Sequence, residues 1–261
     1  MKKKIKGQII SQTEIAEDIY DMWIETELAA TAVAGQFVCL YPLGESTLLP
    51  RPISICEVDR AAGRLRLVYR AAGKGTREFS RYHTYKKIQI LGNLGNGFPL
   101  EAARGKRVLL MGGGIGIPPM LQTAKDLKAE RICTSVTAVL GYRNSQTFLK
   151  EDLAQYADVY TASEDGSEGV KGNVMDAIKA HGLEGDVIMA CGPMPMLRAI
   201  RQYAMEQGIE AYISLEERMA CGVGACLGCV CKTKEKDSHS HVNNARICTD
   251  GPVFRAEDVE I

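Results

Sequence analysis

The chain carries no excess of charge. Lys plus Arg and Asp plus Glu each number 32 among 261 residues, so the net charge is zero. A neutral balance gives nucleic acid or an anionic membrane no electrostatic reason to bind. No apolar run approaches the ~18–20 residues that a membrane span requires. The basic start, Met1-Lys2-Lys3-Lys4, is followed only by Ile5, Ile9 and Ile10 as large apolar residues. It has no h-region, so no secretory signal is expected. No internal repeat is visible. What the chain does have is cysteine, nine in all, five of them in the last 41 residues. Cys39, Cys56, Cys133 and Cys191 are scattered through strand-like segments. The odd total and the clustering disfavour a disulfide framework and predict reduced thiols and a metal site in the cytoplasm.

The length suits two domains, or two plus a small module, and a hydrophobic content of 46% supports real cores. Up to about residue 100, short strand-like runs recur between turn signals: Lys4–Ile10, Ile19–Thr26, Phe37–Leu40, Ile53–Val58, Arg64–Tyr69 and Lys87–Leu91. That spacing predicts a small antiparallel barrel. Residues 91–97, Leu-Gly-Asn-Leu-Gly-Asn-Gly, read as the turn-rich exit from it. From about Arg104, strand-like and helix-like runs alternate. Strands are predicted at Arg107–Met111, Val136–Leu140, Val159–Ala162, Val187–Cys191 and Ala211–Leu215. Helices are predicted from the turn at 112–116 through Leu127, and over Leu149–Tyr156, Val174–Ala180 and Met194–Glu206. Alternation implies parallel β-α-β units and a doubly wound sheet. The remainder, cysteine- and glycine-rich without a strong period, would need a metal to hold its shape. The expectation is therefore a multi-domain α+β chain: an antiparallel barrel over 1–101, a doubly wound α/β domain over 102–215 and a small module over 216–261.

Cys221, Cys226, Cys229 and Cys248 form Cys-x4-Cys-x2-Cys and a distant fourth cysteine, the plant-type ferredoxin spacing of a [2Fe–2S] centre. Gly222, Gly224 and Gly228 let the backbone wrap tightly and aim N–H groups at sulfur. Eighteen residues separate Cys229 from Cys248, with a polar run, Lys232 to His241, between them. This leaves Cys231 as a competing ligand, and His239 and His241 read as exposed loop residues. A zinc ribbon needs two Cys-x2-Cys pairs, and only Cys226/Cys229 fits.

Three further motifs bear on binding. Gly112, Gly113, Gly114 and Gly116 follow a strand and precede Pro118-Pro119, so backbone N–H groups and a helix start face one turn, as a pyrophosphate site requires. It is not the Gly-x-Gly-x-x-Gly fingerprint, and a plain tight turn would look similar. Cys191-Gly192-Pro193-Met194 ends another predicted parallel strand. Ligands of doubly wound sheets bind beyond the carboxyl ends of the strands, which puts both turns on one crevice. Cys191 is either a core thiol or a small side chain against a nicotinamide ring. Arg51-Pro52-Ile53-Ser54 offers a permanent cation for a flavin pyrophosphate and a hydroxyl for its ring edge. Gly75 and Thr76 open a predicted helix through Phe79. An Arg-Pro pair alone is usually only a surface arginine before a strand.

In combination and in this order, R-P-I-S, V-Y-R, G-K-G-T, G-G-G-I-G-I-P-P, C-G-P-M and the cysteine array ending C-T-D-G-P-V-F resemble the ferredoxin–NADP reductase superfamily. Within it the chain is most similar, over essentially its whole length, to the electron-transfer subunits of type B dihydroorotate dehydrogenases. The resemblance implies FAD held by Arg51, Pro52, Ile53, Ser54, Val68, Tyr69, Arg70, Gly75 and Thr76, and a nicotinamide nucleotide held by the two glycine turns. It implies a [2Fe–2S] cluster on Cys221, Cys226, Cys229 and Cys248. It also implies a partner: an FMN-containing dihydroorotate dehydrogenase catalytic subunit, in a heterotetramer of two of each, serving pyrimidine synthesis. Electrons would pass from the partner's FMN through the cluster and FAD to NAD⁺, with no general base in this chain. Arg143 could serve an NADP 2′-phosphate, but the resemblance implies NAD. Asn93 stands where the superfamily's barrel exit has proline, which predicts a looser turn. The rival reading is the diaphorase subunit of a hydrogenase or of an NADH-dependent ferredoxin:NADP oxidoreductase. The cysteine run beginning E-R-M-A-C-G-V-G-A-C favours the orotate system.

Overall fold

The computed structural model describes residues 3–44, 47–236 and 241–261, so His239 lies outside the described residues. Among the described residues six strands close a barrel: β1 (Lys4–Ala16), β2 (Ile19–Glu25), β3 (Phe37–Tyr41), β4 (Arg51–Asp59), β5 (Arg64–Arg70) and β6 (Lys87–Leu94), in the order β1-β2-β5-β4-β3-β6. Every pairing is antiparallel. Period-two alternation sends Val38, Leu40, Ile55, Leu65, Leu67, Tyr69, Ile88 and Ile90 into one core inside the barrel. Phe37 and Cys39, on the opposite face of β3, pack outward into a second core shared with the rest of the chain. One short helix, α1 (Lys74–Phe79), follows β5.

The exit predicted at residues 91–97 is instead largely strand, because β6 runs on to Leu94. Asn93 is not loose. It is 5% exposed and its amide donates to Leu28 O at 3.0 Å and to Thr31 Oγ1 at 3.2 Å.

The second unit alternates as the apolar rhythm predicts: β7 (Arg107–Gly113), α2 (Pro118–Glu130), β8 (Ser135–Tyr142), α3 (Lys150–Ala154), β9 (Asp158–Ser163), β10 (Val170–Lys171), α4 (Val174–His181), β11 (Val187–Cys191), α5 (Met194–Gln207) and β12 (Glu210–Ser214). These strands are parallel, and β7 lies between β8 and β11 in the order β10-β9-β8-β7-β11-β12. None of the described helices is long and apolar enough to cross a membrane.

The C-terminal segment holds more regular structure than its weak periodicity suggests. Strands β13 (Val230–Thr233), β14 (Asn244–Arg246) and β16 (Val259–Glu260) form a three-stranded sheet. β15 (Val253–Arg255) leaves it and adds antiparallel to β12, extending the large sheet to seven strands. Asn96 pins the same segment to the barrel exit: its amide donates to Val253 O at 2.8 Å, and its carbonyl oxygen accepts from Val253 N at 3.0 Å.

Barrel and α/β unit are joined by α2, which packs along β4. Buried Gln122 accepts from Val58 N at 2.7 Å. Arg66 of β5 reaches Asp21 at 2.8 Å, Glu57 at 3.2 Å and Asp152 of α3 at 2.7 Å, and Lys125 of α2 reaches Glu57 at 2.7 Å. These charges hold one another in a part-buried joint, where each needs its partner.

Candidate functional site

Two cavities meet where the three parts converge. The first, of 890 Å³, lies between the outer face of the barrel and the start of the C-terminal segment. Arg51, Pro52, Ile53 and Ser54 line it from β4, Val68, Tyr69 and Arg70 from β5, and Gly73 and Thr76 from the turn and helix that follow. Its far wall is Glu216, Glu217, Arg218 and Met219, two residues short of Cys221, with Pro252. The Arg51 guanidinium donates to Leu49 O at 2.8 Å and to Pro50 O at 3.2 Å. Gly75 is buried beneath it. A Cβ there would stand 2.7 Å from Arg51 Nε, so only glycine leaves the guanidinium this seat. A volume of this size, with apolar side chains on its walls and the guanidinium groups of Arg51, Arg70 and Arg218 among its lining, suits a flavin dinucleotide. Tyr69 contributes less than its place in V-Y-R suggests: its hydroxyl is committed to Gln12 Oε1, 2.9 Å away, inside the barrel. The Thr76 hydroxyl is engaged with Gly73 N and O.

The second cavity, of 720 Å³, crosses the carboxyl ends of the parallel strands. Gly113, Gly114 and Gly116 line it beside Gly192 and Pro193, so the two glycine turns share one crevice. Gly114 has φ +53°, a left-handed conformation that glycine adopts without penalty. At Gly116 the reason for glycine is contact: an added Cβ would lie 2.3 Å from Cys191 O and 2.5 Å from Gly192 N. Gly112 sits inside β7, where a Cβ would meet Ile117 Cα at 3.0 Å. Cys191 is 0% exposed and stands behind the cavity wall, its Sγ 4.0 Å from Glu216 Oε1. Burial first and the nearby Glu216 carboxylate second push the thiol up, and Cys191 itself lines neither cavity. Met196 rather than Met194 faces the cavity. Arg70, Ile115 and Glu216 line both cavities, so the two volumes touch there.

The four spaced cysteines fall into two pairs. Cys221 lies beside Cys226, and Cys229 beside Cys248. Cys229 and Cys248 are buried, and Cys226 is exposed. Among the described residues no group of three or more His, Cys, Asp or Glu is gathered as a single metal ion would need. Pairing two by two is what a binuclear centre asks for, each iron taking two thiolates. The loop supplies amides as well: Val223 N and Cys226 N donate to Cys221 Sγ at 3.4 Å, and Gly224 N to Cys248 Sγ at 3.2 Å. Burial alone would raise the Cys221 thiol, but the amides of Val223 and Cys226, the Cys226 thiol and the Ala225 amide outweigh it and bring it down to about 6. Cys248 is pushed up to about 12, by burial first and then by Cys229 beside it. Cys231 sits on β13, paired with Ala245 of β14. His241 is exposed.

Sequence reasoning missed Cys39. Fully buried on the outer face of β3, its sulfur would be 3.1 Å from a Cβ at Gly222. It is pushed up to about 12 by burial and by Cys248, Cys221 and Cys229 nearby. Glu216 was also missed. Its available signal is position: it follows the strand Glu210–Ser214 by two residues, as ligand-facing groups of such sheets do.

Residues 216–260 match the iron–sulfur cluster binding domain of dihydroorotate dehydrogenase B, and residues 110–202 match an oxidoreductase NAD-binding domain. The chain is 41% identical over 263 residues to the dihydroorotate dehydrogenase B (NAD(+)) electron transfer subunit of Geobacillus sp. (strain WCH70), covering 99% of each. To that of Bacillus velezensis it is 42% identical, covering 99% of this chain and 100% of the relative. Among solved structures, one of the NADH-dependent reduced ferredoxin-NADP oxidoreductase superposes with a TM-score of 0.86 at 31% identity, covering 97% of this chain and 89% of that one. A ferredoxin NADP+ reductase from Neisseria gonorrhoeae with bound FAD and NADP shares the fold alone, with a TM-score of 0.68 at 17% identity, covering 83% and 94%. The curated relatives match end to end, and the chain belongs to the family of dihydroorotate dehydrogenase B (NAD(+)) electron transfer subunits.

Proposed function

We propose that this chain carries electrons between an FMN-containing dihydroorotate dehydrogenase catalytic subunit and NAD⁺, as one half of a cytoplasmic heterotetramer of two of each subunit. The chain is an NAD-dependent flavin and iron–sulfur oxidoreductase subunit, with FAD, a [2Fe–2S] cluster and NAD as its cofactors. A [2Fe–2S] centre exchanges single electrons, a flavin one or two, and a nicotinamide a hydride.

The residues divide that work. Arg51 sets a fixed positive charge for the FAD pyrophosphate, and Pro52, Ile53, Ser54, Val68 and Arg70, with the backbone at Tyr69, Gly75 and Thr76, shape the cavity around the ring. Gly113, Gly114, Gly116, Gly192 and Pro193 bring backbone amides to the nucleotide pyrophosphate, while Gly112, Cys191 and Met194 pack behind them. Cys221, Cys226, Cys229 and Cys248 hold the cluster, and the amides around Cys221 and Cys248 stabilise charge on sulfur. The observation that carries this reading is the double lining of Arg70, Ile115 and Glu216. A flavin and a nicotinamide held in the two cavities would meet at those residues, and Met219 on the opposite wall of the flavin cavity lies two residues before Cys221, which would hold the cluster.

The partner docks on the exposed edge of the cluster loop. Cys226 is exposed there, next to Leu227 at 62%, Val223 at 43% and Val230 at 39%. That is an apolar patch of the kind the centre of a protein interface buries.

The test is anaerobic stopped flow on the complex purified with its catalytic subunit. Mixing with NADH bleaches flavin absorbance before the cluster signal changes. A flavin that stays oxidised with NADH sinks the assignment.

A further inference from the structure

The far half of the nucleotide cavity holds a conflict of charges that the motifs did not expose. Arg70, Ile115 and Glu216 mark the end shared with the flavin cavity, and the two glycine turns lie in the middle. The adenosine half of a dinucleotide then lies over the ends of β8 and β9, where Gly141, Arg143, Asn144, Glu164, Asn173 and Val174 line the wall. Doubly wound folds place a carboxylate for the ribose hydroxyls at the end of their second strand, or an arginine there for a 2′-phosphate. In this chain the second strand of the sheet is β8, and the residue that follows it is Arg143. By that rule alone the site would take the phosphorylated nucleotide.

The neighbouring strand alters the outcome. Tyr142 and Ser163 are register partners at the ends of β8 and β9, so Arg143 and Glu164 leave the sheet side by side. Glu164 N donates to Tyr142 O at 3.1 Å, and Asp165 N to Arg143 O at 3.3 Å. The turn beyond is stapled by Asp165, whose carboxylate accepts from Ser167 N at 2.9 Å and from the Ser167 hydroxyl at 2.6 Å. The Glu164 backbone is thereby fixed. Among the described residues neither the Arg143 nor the Glu164 side chain takes part in a hydrogen bond or ion pair, although both line the cavity. Across the whole cavity wall the charged residues are Arg70 and Arg143 against Glu17, Asp18, Glu164 and Glu216, with no lysine. A dianionic 2′-phosphate would find a single cation at this end with a carboxylate beside it.

We propose that Glu164 is the specificity-determining residue for the nucleotide. It accepts hydrogen bonds from the adenosine ribose hydroxyls and repels a 2′-phosphate that Arg143 alone would attract. The inference rests on the reading of this cavity as the NAD site, and goes further by naming the residue that excludes NADP.

Binding is tested without hydride chemistry, on the complex with its partner subunit and FAD bound. Titration calorimetry measures the dissociation constants of ADP-ribose and of its 2′-phosphate on wild type, Glu164→Gln, Glu164→Ser and Arg143→Gln, with the flavin spectrum as a check on folding. Wild type binds ADP-ribose more tightly. In both Glu164 variants the preference for ADP-ribose over the 2′-phosphate falls by about tenfold, because a repulsive charge is gone and Arg143 remains. In Arg143→Gln it rises. A preference unchanged in both Glu164 variants overturns the proposal while leaving the nucleotide site intact. Failure of wild type to bind either ligand removes the site itself, and the proposal with it.

Discussion

Replacing Gly116 by alanine isolates the contact between the two glycine turns. Its φ lies outside the left-handed region, so the backbone accepts alanine and the cost is steric alone. The new methyl would sit 2.3 Å from Cys191 O, 2.4 Å from Cys191 C and 2.5 Å from Gly192 N, where ordinary contact begins at 3.4 Å. All three atoms are backbone at the end of a fully buried strand, so no side chain can swing away. The turns must separate by about 1 Å. Overpacking of this kind costs about 1–3 kcal/mol of stability, and a displacement of about 1 Å can cost ~100-fold where groups must be held for reaction. The expected result is a weakened affinity for NADH, read from flavin bleaching, with FAD and cluster content unchanged because neither site touches Gly116. Gly114→Ala is the control. Its methyl has only Arg70 Nη2 nearby, at 3.8 Å, so it bears the strain of φ +53° alone, about 1–2 kcal/mol, and keeps more of the affinity. If Gly116→Ala binds NADH as tightly as wild type, the shared crevice does not hold the nucleotide as described.

Other perturbations address the remaining parts. Arg66→Met leaves Asp21, Glu57 and Asp152 facing one another without their common cation, and is expected to lower stability by about 3–5 kcal/mol in thermal or urea unfolding; an unchanged midpoint would show that the joint is not held by charge. Gly222→Ala places a methyl 3.1 Å from Cys39 Sγ and 3.2 Å from Leu94 Cδ1 at φ +68°, so purified protein should lose iron and acid-labile sulfide while retaining flavin. Cys226→Ser should abolish the reduced-cluster EPR signal, and a normal spectrum would count against that ligand. Asp186 is held down to about 2 by hydrogen bonds from Arg107. A depressed carboxyl stabilises the fold above its ordinary pKa and loses that contribution as pH falls through the folded value. Acid unfolding between about pH 4 and pH 2 should therefore begin at higher pH in Asp186→Asn, and identical acid transitions would contradict this.

Much of the fold and part of the site were legible in the residues because they depend on local chemistry. Strand alternation, the glycine turns ahead of Pro118 and after Cys191, and the spacing of Cys221, Cys226 and Cys229 each work within a few residues of chain. The strands of the C-terminal segment were not legible, since β15 forms only by pairing with β12, some forty residues earlier. Tyr69 reads like a cavity residue in V-Y-R, and only the closed barrel turns its hydroxyl toward Gln12.

The sequence by itself determined which groups are available: thiols at the spacing of Cys221, Cys226, Cys229 and Cys248, two glycine turns at strand ends, a cation at Arg51. Tertiary structure alone decided which of them meet. It set Cys39 of the barrel against the cluster loop, put Glu216 at the junction of the two cavities and stood Glu164 beside Arg143. The reason is physical. Local spacing is enforced by covalent geometry, whereas these encounters join residues far apart in the chain and arise only when barrel, sheet and cysteine loop bury their apolar faces against one another.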